Sequence, residues 1–359
     1  MDSLVEGIGC LTGIDPWKRE RMRRLCANRH GPPIALTPRR AVALAKANGG
    51  AVGCWASRVA PELPAMARAA GVDLWLMEDG FIRSFGLGVA LVQPCSIVID
   101  RRGIHYDPSR PSDLESLLEN RSFPVATLAR AERLIAEICR LGVTKYNLSG
   151  ARLDLPAGRR VVLALGQVEN DLSVVRGGGG LSIAQFVARV RREEPDAFIV
   201  FKPHPDVLFG MREGLREADV DLVATDADLP SLMDRADAVH TLTSLAGFEA
   251  LLRGREVVVH GRPFYAGWGL TRDLLPCPRR SRRLTLAELV AGVLIEYPLY
   301  CLPDGGGRCS VEDLVGALGA RQQGWTPGIR DHALGSAALV LRRMKAAVGG
   351  RKNAAIADL

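Results

Sequence analysis

Short apolar runs recur along the chain, and after most of them a polar turn leads into residues with helical spacing. In the first half, residues 51–57 and 72–77 read as strands with a helix at 61–70 between them. Ser96–Asp100 reads as a further short strand, and 113–119 and 128–141 read as helices. A polar turn at 153–159 opens the second half. The continuous apolar run at 161–166 has the pattern of a strand buried on both faces. After a glycine run at 177–180 come a helix at Ile183–Glu193, strands at 197–202 and 221–225, a helix at 230–235 and a strand at 236–239. The segment 240–270, HTLTSLAGFEALLRGREVVVHGRPFYAGWGL, then predicts a Thr/Ser-rich turn, a short helix, a second buried strand and a Gly/aromatic loop.

Repeated strand–helix units predict an α/β protein whose parallel sheets carry helices on both faces. The pattern divides near residue 150, so two Rossmann-type α/β domains facing a cleft are expected. Their limits are 1–150 and 151–325, followed by a C-terminal helix and basic tail at 326–359. Ligands in such folds bind beyond the carboxyl ends of the strands. The polar residues just after each apolar run are therefore the ones to weigh.

Size and composition agree with this picture: 359 residues suffice for two cores, and 47% hydrophobic content marks a globular chain. No apolar run reaches the roughly 20 residues of a membrane span. The acidic start Met1-Asp2-Ser3 lacks the pattern of a secretory signal, so a cytoplasmic location is expected. Eight cysteines are scattered with no Cys-x-x-Cys pair, which argues against a disulfide framework or a zinc site. The net charge of +7 gathers at 18–24, 279–283 and 342–352. Such clusters suit anionic partners, or are simply solvated surface. With 5% aromatic residues and no zinc-finger or heptad-linked basic region, nucleic acid is not an expected partner.

Three strand ends in the second half carry candidate chemistry. The first delivers Gln167 and Asp171 (QVEND), the second Lys202, His204 and Pro205 (KPHPD), and the third His240 with the Thr/Ser turn. In Lys-Pro-His-Pro the prolines stiffen the turn that holds His204, and Lys202 beside it makes a cationic pocket suited to a phosphate leaving group. Asp171 is a carboxylate that can act as nucleophile or general base, or as a helix N-cap ahead of Ser173. Thr241, Thr243 and Ser244 fall where a first helical turn leaves amide groups unpaired, a place that accepts phosphate. Glu249, one turn further on, is placed to receive hydrogen bonds from sugar hydroxyls. In the first half, Glu78, Asp79 and Arg83 (EDGFIRS) follow an apolar strand: the acids suit acceptor hydroxyls and Arg83 a carboxylate. The glycine run has no Gly-Lys-Ser/Thr and no G-x-G-x-x-G follows a strand, so neither a Walker loop nor a nicotinamide cofactor is expected. The two Asp-x-Asp pairs at 219–221 and 226–228 read as turn and cap residues, and no metal is expected.

Taken together and in order, EDGFIRSFGLG, GQVEND, FKPHPDV, HTLTSLAGFEALLRG and GRPFYAGWGLT closely resemble the bacterial capsule polysaccharide β-Kdo transferases of the KpsC/LipA type. The resemblance runs from about Leu74 to Tyr300. It implies a GT-B-like fold and retaining transfer of Kdo (3-deoxy-D-manno-octulosonic acid) from CMP-Kdo, without cofactor or metal, to a Kdo-terminated glycolipid acceptor. Carried onto this sequence, Gln167, Asp171 and His204 become the catalytic candidates. Lys202, His204, Thr243 and Ser244 would hold the CMP phosphate next to Pro205, and Glu249 the ribose hydroxyls. Glu78, Asp79 and Arg83 would meet the acceptor. Members of this family often carry two transferase modules, and this chain has room for one. The basic tail at 337–352 suits seating on anionic lipid at the inner face of the cytoplasmic membrane. Rival readings are another GT-B nucleotide-sugar enzyme and a non-catalytic capsule polysaccharide binding or export subunit.

Overall fold

A computed structural model of the chain describes residues 5–208, 210, 212, 214–216 and 218–324. The C-terminal segment and basic tail at 326–359 lie outside the described residues. Five strands form first: β1 (Ile8–Thr12), β2 (Ile34–Ala35), β3 (Ala51–Trp55), β4 (Leu74–Asp79) and β5 (Ser96–Asp100). Six follow the linker: β6 (Val161–Leu165), β7 (Phe198–Lys202), β8 (Leu222–Val223), β9 (Ala238–Thr241), β10 (Glu256–Val259) and β11 (Arg272–Asp273). Two more, β12 (Pro298–Cys301) and β13 (Arg308–Cys309), close the described chain.

These strands make two sheets, ordered β2-β1-β3-β4-β5-β12-β13 and β8-β7-β6-β9-β10-β11. The second sheet is parallel throughout. In the first sheet β1 to β4 are parallel, and β5, β12 and β13 each run antiparallel to the preceding neighbour in that order. The two-domain, GT-B-like α/β architecture expected from the sequence is thus observed. One boundary is different. β12 and β13 were grouped with the second domain, yet they pair onto β5 of the first sheet. The intervening helix Leu286–Val290 packs against helix Val125–Leu141, which carries the chain back to the first domain.

Each sheet reverses its direction of winding once. In the second sheet the chain goes outward from β6 to β8, then restarts at β9 on the other side of β6. In the first, β1 is followed by β2 on one side and β3 on the other. A crevice opens beyond the carboxyl ends of the two strands flanking each reversal, because their outgoing loops diverge to opposite faces. Gly166, at the end of β6, lets the strand ends close together: a Cβ there would stand 3.0 Å from the Lys202 carbonyl oxygen.

The apolar runs explain the layering. β3, β5 and β6 are buried along their whole length, as strands covered on both faces must be. Helix Ile183–Glu193 buries Ile183, Phe186, Val187 and Val190 against β6, β7 and β9, and a Ser182/Gln185 capping box starts it. The largest core runs through both domains, joining Phe81, Leu118 and Leu134 to Val239, Phe248 and Phe264. Phe81 and Phe264 meet with ring centroids 4.7 Å apart. Trp268 and Tyr265, the aromatic residues of the Gly/aromatic loop, are fully buried. Tyr265 Oη donates to the Ser244 carbonyl at 2.5 Å, and at Gly247 any Cβ would collide with that ring.

Asp100 organises the loop that follows β5. Its carboxylate accepts the amides of Arg102 at 3.0 Å, Gly103 at 2.8 Å and Asp113 at 2.8 Å, together with Tyr297 Oη at 2.7 Å. It is fully buried. Replacement Asp100→Ala strands these donors and is expected to destabilise the protein by about 2–3 kcal/mol or more. Urea denaturation of the variant beside the parent checks this; an unchanged midpoint would rule the role out.

Candidate active site

A cleft of about 940 Å³ lies between the two domains, and both winding reversals open into it. Most residues selected from the sequence line it: Glu78, Asp79 and Arg83 from the first domain, and Gln167, Asp171, Lys202, His204, Pro205, Thr243, Ser244 and Glu249 from the second; Thr241 and His240 do not. Convergence of these strand ends follows from the parallel sheet. What each side chain does there differs in part from expectation.

Gln167 locks the reversal in the second sheet. Its Oε1 accepts the Thr243 amide at 2.9 Å, and its Nε2 donates to Thr243 Oγ1 at 3.0 Å. With only 6% exposure and both ends engaged, Gln167 positions the β6 and β9 loops. The Thr/Ser turn is likewise satisfied from within. The Ser244 amide goes to Thr241 Oγ1, the Ala246 amide to Ser244 Oγ and the Gly247 amide to the Ser244 carbonyl. The expectation that these amides wait for a phosphate is therefore corrected. Short hydroxyl side chains have folded back onto them, which is the ordinary fate of Ser and Thr before a helix.

Asp171 is an N-cap and a cleft carboxylate at once. Oδ1 accepts the Ser173 amide at 2.9 Å and its hydroxyl at 2.8 Å, while Oδ2 stands 3.5 Å from Arg212 Nη1. Burial pushes this carboxyl up, but the Ser173 hydrogen bonds and the fields of Lys145 and Arg212 bring it below the ordinary range. It is ionised at neutral pH with one oxygen fixed.

His204 Nδ1 accepts the Asp206 amide at 3.1 Å, which puts the ring proton on Nε2 in the neutral form. Burial lowers its pKa, Asp206 opposing and Lys145 adding to the effect. His204 is thus a neutral hydrogen-bond donor, held at the turn expected from Lys-Pro-His-Pro. Lys202 Nζ donates to the Thr225 carbonyl at 3.1 Å, and burial lowers its pKa. His240, read from the sequence as a strand-end residue at the cleft, is interior to β9 and does not line it.

In the first domain Arg83 is 2% exposed, with Nε and Nη1 engaged by the fold. Its Nε donates to Asp79 Oδ2 at 2.7 Å, and Nη1 to Ser84 Oγ at 2.8 Å and the Val92 carbonyl at 3.1 Å. The bidentate contact to an acceptor carboxylate is therefore corrected to a structural one. Cations that sequence reasoning missed stand nearby. Lys18, read there as part of a solvated basic cluster, is 5% exposed with Nζ 3.2 Å from the Trp55 ring centroid. It comes from the loop after β1 and Trp55 from the end of β3, so the pair marks the reversal in the first sheet. Lys145, in the linker between domains, also faces the cleft. Burial works against its charge, but Tyr146, Asp79 and Asp171 outweigh this and hold it above the ordinary lysine range.

Two carboxyls of the cleft are displaced upward. Glu78 stands at about 7 because burial and then Asp79 disfavour its charge. Glu249 also stands at about 7, through burial, although its Oε1 accepts the Lys145 amide at 2.7 Å. A carboxyl with a higher pKa folded than unfolded costs stability in full above pH 7, and the cost fades as pH falls toward its ordinary value near 4.5. Glu249→Gln keeps an acceptor for Lys145 and removes the cost. Relative to this variant, the parent is expected to lose up to about 3 kcal/mol between pH 4.5 and 7. Parallel pH profiles of denaturation for the two proteins would disprove the assignment.

Similarity to known proteins points the same way. The profile of a family described as "Capsule polysaccharide biosynthesis protein" matches residues 50–300. The lipopolysaccharide-processing protein LpsZ of Rhizobium meliloti is 43% identical over 265 residues, covering 70% of this chain and 60% of LpsZ. The capsule polysaccharide modification protein LipA of Neisseria meningitidis serogroup A is 45% identical over 239 residues, 65% of this chain and 34% of LipA. This chain thus spans less than two thirds of LpsZ and about a third of LipA. Two solved structures of Thermosulfurimonas dismutans KpsC superpose closely. The β-Kdo 2,4 transferase gives a TM-score of 0.75 at 30% identity, over 87% of this chain and 98% of that one. The β-Kdo 2,7 transferase gives 0.69 at 34% identity, over 86% and 97%.

Proposed function

The chain belongs to the capsule polysaccharide biosynthesis family, and from that premise we propose that it is a retaining β-Kdo glycosyltransferase using CMP-Kdo as donor and a Kdo-containing glycolipid as acceptor. The observation that carries this reading is the ionised Asp171 carboxylate, held at one oxygen and set among Lys145, Arg212 and His204 in the interdomain cleft. CMP-Kdo brings two anions, a phosphodiester and the sugar carboxylate. Lys18, Lys145, Lys202 and Arg212 line the space where both have to be neutralised.

In this reading Asp171 Oδ2 attacks the anomeric carbon while the bond to phosphate breaks, and CMP departs with the electron pair. His204 donates its Nε2 proton in a hydrogen bond to the departing phosphate, and Lys202 offsets its charge. An acceptor hydroxyl then displaces Asp171 from the same carbon, forming the new glycosidic bond and regenerating the free carboxylate. Two inversions give net retention. Glu78, raised to about 7, takes the acceptor proton. Glu249 retains its second oxygen for a donor hydroxyl. Gln167 acts indirectly, by holding Thr243 and the β9 loop. No metal is assigned to the reaction; the lysines and Arg212 supply the positive charge.

No helix among the described residues is long and apolar enough to cross a membrane. Access to a glycolipid would then come from peripheral association at the inner face of the cytoplasmic membrane, with the basic tail as its contact.

Asp171→Asn preserves an acceptor for Ser173, so the fold is expected to survive. CMP release from CMP-Kdo with a Kdo-terminated acceptor should fall by a factor of about 10³ or more. Near-parental release would sink the nucleophile. No release by the parent enzyme would favour a non-catalytic polysaccharide-binding role, and faster turnover of a UDP-sugar would favour a different transferase. Lys202→Ala is expected to raise KM for CMP-Kdo about tenfold or more, the worth of one charged hydrogen bond. An unchanged KM would place the phosphate elsewhere.

A further inference from the structure

A second polar cluster lies outside the cleft, on the face of the second sheet covered by helix Ile183–Glu193. His240 comes from β9, His260 follows β10, and Glu193 ends the helix. One nitrogen of each imidazole and one Glu193 carboxylate oxygen lie within 4.8 Å of one another. None of the three lines the cleft. Both histidines have zero exposure, and Phe186 packs against His260 at 85° with centroids 5.0 Å apart.

The hydrogen bonding of this cluster does not close on itself. His240 Nδ1 and His260 Nε2 stand 3.1 Å apart and can share one proton. That leaves His240 Nε2, His260 Nδ1 and Glu193 Oε2 buried without a hydrogen-bond partner. The two outer ring nitrogens lie across their rings from the facing pair, so the donors this cluster offers to a ligand are the facing nitrogens and a Glu193 carboxylate oxygen, of which Oε2 is buried and without a hydrogen bond. Both rings are enclosed by the sheet and the covering helix.

We propose that Glu193, His240 and His260 form a binding site for a divalent cation of the zinc class, which fastens the end of helix Ile183–Glu193 to β9 and β10. Two imidazoles and a carboxylate are a donor set that zinc favours. Ligand atoms around a tetrahedral zinc stand about 3.3 Å apart at bond lengths of about 2.0–2.1 Å. The facing imidazole nitrogens already meet this spacing, and a rotation of the Glu193 side chain brings in the carboxylate. Arg189 Nε holds the other oxygen, Oε1, at 3.1 Å, an outer contact of the kind that orients a ligating carboxylate. Arg272 stands 3.7 Å from Oε2 and is 54% exposed, so it can turn to solvent. The fourth position is open to water, while Glu194 Oε1 stands 3.5 Å from the outer nitrogen of His240. The site is structural and independent of the transfer chemistry: its ligands hold the strand whose end carries Thr243.

The test uses the whole chain purified without chelator. Elemental analysis is expected to find about one zinc per chain. After stripping by chelator, added Zn²⁺ should raise the Tm, and Co²⁺ should give the visible absorption of four-coordinate nitrogen and oxygen ligation. Glu193→Gln, at a helix end, leaves the buried histidines in place and should weaken zinc binding at least tenfold; His260→Gln should abolish the cobalt band. A stripped parent whose Tm does not respond to Zn²⁺, or zinc uptake that is the same in both variants, would overturn the proposal. The second result would assign the metal to cysteines.

Discussion

The backbone at Lys145 is held from two directions, and the working geometry depends on it. Its amide donates to Glu249, in the helix after β9, while its carbonyl accepts the amides of Arg83 and Ser84 in the loop after β4. One residue of linker thus ties the polar loop of the first domain to the helix after β9 in the second. The cleft lies between those two anchors, so its width is set locally rather than by distant contacts. The same anchoring aims the Lys145 side chain at the middle of the cleft, where it feels Asp79 from one domain and Asp171 from the other. A cation placed there is stabilised by both walls only while the walls stay close.

This arrangement also explains the mixed ionisation of the carboxyls. Asp171 is surrounded by donors and cations and remains charged; Glu78 and Glu249 are buried with fewer compensating groups and sit near neutrality. One pocket therefore offers both a permanent anion and proton-exchanging groups, which is what a two-step transfer requires. The division follows from position. Asp171 opens a helix and gains its partners from Ser173, whereas Glu249 is enclosed by its own helix, with Phe248, Ala250 and Leu251 buried around it.

The sequence made the second domain more legible than the first. β6, β7 and β9 are compact apolar runs, and Gln167, Lys202 and Thr243 fall at or just beyond their ends, so strand-end reasoning found them. β1 is a five-residue strand, IGCLT, broken by glycine and set between polar stretches. It offered no recognisable run, and Lys18 and Trp55 went unnoticed with it. Lys145 was invisible for another reason: it belongs to neither domain, and its importance appears only when both are assembled. Charge and hydrogen-bonding capacity were read better than their use. Arg83, the Thr/Ser turn amides and His204 were all expected to face a ligand as charged or unpaired groups, and all are partly or wholly consumed by neighbours. Sequence shows which groups a loop carries, whereas only packing shows which remain available.

The return of β12 and β13 to the first sheet bears on how the protein is made. During synthesis the first five strands leave the ribosome nearly two hundred residues before the strands that complete their sheet. Until then β5, buried along its full length in the finished fold, stands as an open edge. The second sheet has no such debt and can form as soon as β11 emerges. The domain that begins first is therefore the one that finishes last, and the chain closes like a clasp whose two ends are its earliest and latest parts. An order of assembly in which the second domain folds before the first follows from topology alone. It leaves the nascent chain most vulnerable to edge-to-edge association in the interval between β5 and β12.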